Sequence, residues 1–385
     1  MTPRSVRHPG EFRWETRLLG VVTLILAVLG IAECFASSTY LDQWYHESTE
    51  QVLGLALGSV LFVIAAALDY QIWRKIATPL LIATGAGLVP IAVVALIYRN
   101  HDAPGIVGHL IPRFNGSHRW IRVGAQVQVA EIARFTLIAW LAATAATLGP
   151  RIRSFNEGFV PTMGMIALIV GLVAVEPSVT VALAIGLVGS TILFVAGARI
   201  PHLLLVVAVA LCAMALLVKL DAVRNKRQQV FRGPAIHCTV DEQACQSLIG
   251  FGNGGLTGKG FGKGTQKLGH LPEAYSDFLL SVFGEDWGFV GVVFLTLCFV
   301  VFCWMGFRIA GTARDPFGTY LAIGITSNIG MSAIVHAAVV TWLIPTTGLT
   351  LPFMSVGRLA LVMNLFSTGV LVSIGRQRGR PGRSK

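Results

Sequence analysis

Acidic side chains are scarce in this chain, 19 Asp and Glu against 30 Lys and Arg in 385 residues, and charged residues of both signs make up only 13%. An ordinary soluble domain carries about 25% charged residues, so the charge here cannot cover a water-exposed surface, and a soluble enzyme is excluded. Nucleotide signatures are missing too. No internal repeat or low-complexity linker is evident, cytoplasmic ATP is not an expected energy source, and no nucleic-acid partner is expected. Cysteine is sparse: Cys34, Cys212, Cys298 and Cys303 fall in apolar runs as filler. Cys238 and Cys245, with His237 beside them, lack a second close pair and fit no usual zinc spacing.

What the chain has is apolar length, with 54% hydrophobic residues and 42 glycines, and glycine is commoner in membrane helices than in soluble ones. A span needs about 20 mostly apolar residues. Ten windows qualify: 18–36, 51–68, 76–98, 127–148, 160–175, 179–198, 202–220, 288–310, 319–340 and 352–374. They predict an all-α polytopic membrane protein of about ten helices, one integral membrane domain over 1–385. A large extracytoplasmic loop, 221–276, separates helices seven and eight, and a smaller outer loop covers 99–126. Spans five and six run almost together through Val175, Glu176, Pro177 and Ser178; ten spans are preferred to nine with one long kinked helix.

Lys and Arg in short loops resist translocation and set orientation. Arg4, Arg7, Arg13 and Arg17 lie in the tail 1–17, and Arg376, Arg378, Arg380, Arg383 and Lys385 in the tail 376–385. With an even span count both tails share the cytoplasmic face with Arg74, Lys75, Arg151, Arg153, Arg199, Arg308 and Arg314. The loop 37–50 carries Asp42, Glu47 and Glu50 and no Lys or Arg, as an outer loop should. The long basic leader before the first span argues for an uncleaved anchor rather than a signal peptide.

The tract GNGGLTGKGFGKGTQKLG at 252–269 fails two phosphate motifs. Lys259 and Lys263 are each followed by Gly, so it is no P-loop, and GxGxxG spacing after a strand is missing. Glycines still let backbone amides converge on an anion, and Lys259, Lys263 and Lys267 recur every four residues. A pyrophosphate would suit this lining; the alternative is a merely flexible loop. Asp277 follows, read either as a functional acid or as the N-cap of span eight. Glu131 and Arg134 share one helical face in span four, where buried charges are expensive and usually functional.

Residues 252–291, GNGGLTGKGFGKGTQKLGHLPEAYSDFLLSVFGEDWGFVG, resemble the signature of the SEDS family (shape, elongation, division and sporulation), also called FtsW/RodA-like, and lie closer to its FtsW branch. HRWIRVG at 118–124, Glu131 with Arg134, and IPTTGLTLPFMSVG at 344–357 extend the likeness over nearly the whole chain.

The resemblance implies a peptidoglycan glycosyltransferase that polymerises lipid II, an undecaprenyl-pyrophosphate disaccharide peptide, at the outer face of the membrane during division or elongation. Asp277 matches the family's acid, and as a base it would take the proton of the sugar 4-hydroxyl. A pyrophosphate leaving group needs no protonating acid, so one carboxylate suffices, unlike the pair of glycoside hydrolases. Arg119 and Arg122 beside Trp120 would meet the second pyrophosphate or a sugar face. Glu131 and Arg134 match the family's glutamate and lysine, although Val129-Ala130 replaces the usual Pro-Ser. Lys259, Lys263, Lys267 and Glu273 complete the expected substrate contacts. The implied partner is a class B penicillin-binding transpeptidase near spans eight and nine. No cofactor is required, and a divalent metal stays open.

Two departures stand out. Glu176-Pro177-Ser178 replaces Gln-Pro-Asp, and Gly357-Arg358-Leu359-Ala360 replaces Gly-Gly-Ser-Ser. Arg358 at that depth must pair, snorkel or line water, and Glu176 or Glu131 is a conceivable partner. A lipid II flippase and a noncatalytic scaffold remain alternatives. Outside the membrane disulfides persist, so Cys238 and Cys245 are expected to be bonded.

Overall fold

A computed structural model describes residues 14–38, 44–98, 101–114, 117–123, 125–176, 178–206, 208, 243–269, 271, 273–345 and 348–377. It is nearly all helical. Helices α1 (Trp14–Ser38), α2 (Trp44–Ala67), α3 (Gln71–Ile97) and α5 (Val129–Leu148) carry the first four predicted spans. A single turn, α4 (Gly105–Leu110), sits between α3 and α5. Helices α6 (Val160–Val175) and α7 (Val179–Val195) are spans five and six. The seventh predicted span lies mostly outside the described residues. Helix α8 (Gln243–Gly254) precedes α9 (Leu279–Gly311), α10 (Pro316–Val340) and α11 (Arg358–Arg376). Eight helices among the described residues are long and apolar enough to cross a membrane, and Thr180–Val195 is a shorter apolar one.

Spans five and six are separate helices. Glu176 leaves the helical region at φ −74°, ψ 29°, as a residue before proline tends to. Beyond that bend the chain doubles back, setting Gly186 against Val170 and Gly189 against Ile166.

Small residues set the close approaches, as in membrane bundles generally. A Cβ on Gly54 would lie 3.2 Å from Arg358 Cα, one on Gly58 3.2 Å from Val362 Cα, and one on Gly369 2.4 Å from the Phe62 carbonyl oxygen. This register makes α2 and α11 parallel. The Arg308–Glu15 ion pair and the Trp287–Glu33 hydrogen bond make α1 and α9 antiparallel. Both relations agree with positions two and ten, and one and eight, in an alternating ten-span count.

Two features depart from the sequence reading. The loop 99–126 contains short antiparallel hairpins, β1 (Arg113–Phe114) with β2 (Ser117–His118) and β3 (Ile121–Val123) with β4 (Ala125–Val127). Helix α9 begins nine residues before the expected 288 and breaks at Gly288, φ 67°, ψ −168°.

The break is filled by the Gly-Lys tract. The amides of Phe289 and Val290 donate to the carbonyls of Gly255 and Leu256, at 2.9 and 3.1 Å. The carbonyls of Glu285 and Asp286, their partners in an unbroken helix, accept instead from the amides of Lys259 and Gly260, both at 3.0 Å. Backbone groups freed by the kink are thereby satisfied. A Cβ at Gly288 would fall 2.3 Å from the Gly258 nitrogen, so this approach requires glycine.

Candidate functional site

Asp277 is presented by a tight turn just ahead of α9. Glu273 sits at φ 55°, and its carbonyl accepts from the amides of Ser276 and Asp277 at 3.1 and 3.0 Å. The Glu273 carboxylate also accepts from Ser276 Oγ at 3.1 Å, so this residue shapes the turn. The N-cap of α9 is Phe278, and Asp277 lies one residue before it.

The segment 348–357 is stitched onto this turn. Val356 N donates to Tyr275 O at 3.1 Å, and Ser355 Oγ donates to Ser276 O at 2.6 Å. His336 of α10 holds the same segment through Nδ1 and the Leu349 carbonyl, 2.8 Å apart. Gly348 comes to rest over the acid. A Cβ there would lie 3.3 and 3.8 Å from the two Asp277 carboxylate oxygens and 3.9 Å from Arg119 Nη1. Acid, arginine and a glycine-sized gap thus meet at one point.

Arg119 reaches that point from the hairpin loop. Its Nε donates to Ser117 Oγ at 2.5 Å, and its guanidinium lies 5.3 Å from the Trp120 ring centroid, within cation–π range. Arg122 stands in β3, paired in register with Gln126. Glu131 and Arg134 form the expected ion pair on one face of α5, 3.3 Å apart and buried. Nε and Nη2 of Arg134 have no hydrogen-bond partner among the described residues, and the side chain borders a small cavity with Leu141, Ile185 and Asn328.

Two of the three tract lysines are engaged by carboxylates of α9. Lys267 is fully buried, its Nζ 2.8 Å from Asp286 Oδ2, and Lys259 pairs with Glu285 at 2.7 Å. The tract amides converge as glycine-rich backbone can, but on the chain's own carboxylates. Gly262 and Gly264 donate to Asp286 at 2.8 and 2.7 Å, and Gln266 donates to Glu285 at 2.9 Å. Lys259 and Lys267 therefore fasten the tract to the kink of α9 through Glu285 and Asp286. Lys263 is exposed, with no ion pair among the described residues.

Arg358 also has a partner other than those expected. It pairs with Glu50 of α2 at 3.0 Å, because the parallel packing of α2 and α11 brings these two ends together, while Glu131 is occupied by Arg134. Glu176 is 0% exposed, and neither carboxylate oxygen is hydrogen-bonded among the described residues. Burial pushes its carboxyl up to about 8, against the opposing field of Arg119.

Cys245 is disulfide-bonded, and its expected partner Cys238 lies outside the described residues. Cys34, Cys298 and Cys303 form no disulfide among the described residues. No group of three or more His, Cys, Asp or Glu able to hold a metal occurs among the described residues, and no step below is routed through one.

Fold and site together define a polytopic membrane protein with an acid–arginine centre where helix ends and loops meet at one end of the bundle. The family model of the FtsW, RodA and SpoVE cell cycle proteins matches residues 15–380, and the chain belongs to that family. It is 37% identical to the probable peptidoglycan glycosyltransferase FtsW of Trichlorobacter lovleyi over 96% of this chain and 95% of the relative. Stage V sporulation protein E of Bacillus subtilis is 33% identical over 93% and 96%. The crystal structure of Thermus thermophilus rod shape determining protein RodA is similar at a TM-score of 0.67 and 25% identity, covering 94% of this chain and 97% of that one. A chain from a peptidoglycan synthase complex gives a TM-score of 0.72 at 23% identity, covering 94% and 98%, a likeness of fold.

Proposed function

We propose that this chain is a peptidoglycan glycosyltransferase and that Asp277 is its general base. The observation that carries the reading is the meeting of Asp277 and Arg119 beneath Gly348. A carboxylate at that meeting point can take a proton, and the guanidinium beside the same glycine can hold a phosphate oxygen. In the reaction the 4-hydroxyl oxygen of the acceptor lipid II bonds to the donor's anomeric carbon. Its proton passes to Asp277, and the bond from that carbon to the phosphate oxygen breaks. The electron pair leaves with undecaprenyl pyrophosphate, whose charge Arg119 steadies, with Arg122 nearby on the same hairpin loop. Preorganised charge at a developing anion is commonly the largest catalytic contribution.

The basic tails put the Asp277 end of the bundle outside and both termini in the cytoplasm. The Glu131–Arg134 pair then lies near the outer end of α5, and Lys263 is an exposed tract lysine with no ion pair among the described residues. The partner is a class B penicillin-binding transpeptidase, in keeping with the likeness of fold to a chain of a peptidoglycan synthase complex. Polymerisation of purified lipid II by the full-length protein, with and without the transpeptidase, tests the function. Glycan strands longer than the starting disaccharide are expected; lipid II translocation without any bond formation would reverse the reading in favour of a flippase.

A further inference from the structure

His336 is a fully buried side chain that the reaction as written does not use. A carbonyl oxygen can only accept, so the 2.8 Å contact with Leu349 O puts the hydrogen on Nδ1. Nε2 has no hydrogen-bond partner among the described residues, which leaves this bond as the imidazole's polar link. It is also the hydrogen bond that holds the backbone of 348–350 among the described residues, since the other ties of the segment begin at Leu351. The bond closes a ring of buried contacts around the acid. Ser281, in the first turn of α9, donates from Oγ to the Ser247 carbonyl of α8 at 2.7 Å, and Ser247 Oγ donates to the Val340 carbonyl at the end of α10 at 2.7 Å. One turn earlier on α10, His336 reaches Leu349, and the adjoining Gly348 lies over the Asp277 carboxylate just ahead of α9.

We propose that His336 is a positioning residue for glycosyl transfer: its Nδ1–H fixes the Leu349 carbonyl and, through it, the distance between Gly348 and the Asp277 carboxylate. The inference rests on Asp277 as base. The proton passes only when acceptor oxygen, carboxylate and anomeric carbon are aligned, and a misplacement of about 1 Å can cost on the order of a hundredfold in rate. A Cβ on Gly348 would lie 3.3 Å from Asp277 Oδ2, so a displacement on that scale changes the room at the acid substantially. The turn that carries Asp277 is tied to Ser355 and Val356 and keeps those ties when the His336 bond is lost. What the loss frees is the near end of the segment, at Gly348. The imidazole carries its donor two torsions from the backbone, so helix α10 dictates where that hydrogen points.

Turnover and KM for lipid II would be measured with the full-length protein in its parental form and as His336→Leu, His336→Gln, His336→Asn, Gly348→Ala and Asp277→Asn, with melting followed in each. His336→Leu fills the ring's place without a donor, and kcat should fall about ten- to a hundredfold with KM within about twofold of the parent. The amide nitrogen of Asn branches from the same carbon as Nδ1 of His, so His336→Asn should keep the bond and recover most of the rate. Gln carries its donor one atom farther out, and His336→Gln should resemble His336→Leu. Should His336→Leu not fold, the two amide variants carry the comparison. Adding Gly348→Ala to His336→Leu or His336→Gln should cost less than Gly348→Ala alone, because the gap it narrows is no longer held and coupled sites are non-additive. A merely structural histidine would lower the melting midpoint and leave the kcat of the folded fraction unchanged. Parental kcat in folded His336→Leu or His336→Gln, a loss in His336→Asn as large as in those variants, or losses that simply multiply with Gly348→Ala would overturn the positioning role while leaving Asp277 as base. Parental polymerisation by Asp277→Asn would overturn the base assignment and this inference with it.

Discussion

Lys267→Met separates a structural tract from a substrate-binding one. Lys267 and Asp286 are both fully buried, 2.8 Å apart, and removing one partner of such a pair leaves an uncompensated charge, a loss of about 3–5 kcal/mol. Asp286 keeps the amides of Gly262 and Gly264 at 2.8 and 2.7 Å, which places the expected loss at the lower end, about 3 kcal/mol. Lys267→Met combined with Asp286→Asn should recover part of it, because the amide oxygen still accepts from the tract and no buried charge remains. Thermal melting in detergent would follow stability, and undecaprenyl-pyrophosphate binding would be measured below the melting range. The structure predicts a lower melting midpoint with binding preserved in the folded fraction. A Lys267→Met protein that melts like the parent but has lost the lipid pyrophosphate would refute the reasoning and restore the lysine as a ligand.

Gly348→Ala should fold and polymerise poorly, since the new methyl would sit 3.3 Å from Asp277 Oδ2 in the space left for the acceptor; parental turnover would show that this gap is unused. Glu176 gives a pH signature in stability. Its folded value of about 8 lies above the ordinary 4.5, so the folded chain keeps a proton that the unfolded chain releases. That stabilisation is complete below about pH 4.5 and is lost as pH rises through about 8. Glu176→Gln should therefore lose less melting temperature than the parent between about pH 6 and about pH 9, and identical slopes would contradict the raised value. Arg358→Ala should cost about 1 kcal/mol or less, because the Arg358–Glu50 pair is a quarter to a third exposed and such pairs are screened. A collapse in folding would contradict that estimate.

The spans were legible because hydrocarbon imposes a length and a composition that can be counted, and the windows at 76–98 and 319–340 become α3 and α10 with small shifts. The Glu131–Arg134 pair was legible because helical spacing fixes which side chains meet. The partners of Lys259 and Lys267 were not. Glu285 and Asp286 lie on the far side of a turn, and local spacing carries no record of a tract folding back into a helix break. Gly288 offered the one available signal, a glycine inside an apolar run. Glu176 was noted as a departure from a pattern; that it is fully buried depends on how distant elements pack around the bend, which no periodicity shows. Gly348 was hidden inside a matched motif, and what it does depends on Asp277 arriving from 71 residues away.

The most direct test of the central assignment is the rate of lipid II polymerisation by purified Asp277→Asn protein. Asparagine keeps the size of the side chain and cannot accept the proton, and the turn that presents it is held by Glu273 and by the 348–357 segment, so folding should be unchanged. Loss of a general base typically lowers the rate about a hundred- to ten-thousandfold; the account predicts a fall on that scale with an unaltered melting midpoint and retained lipid II binding. Polymerisation near the parental rate would contradict it.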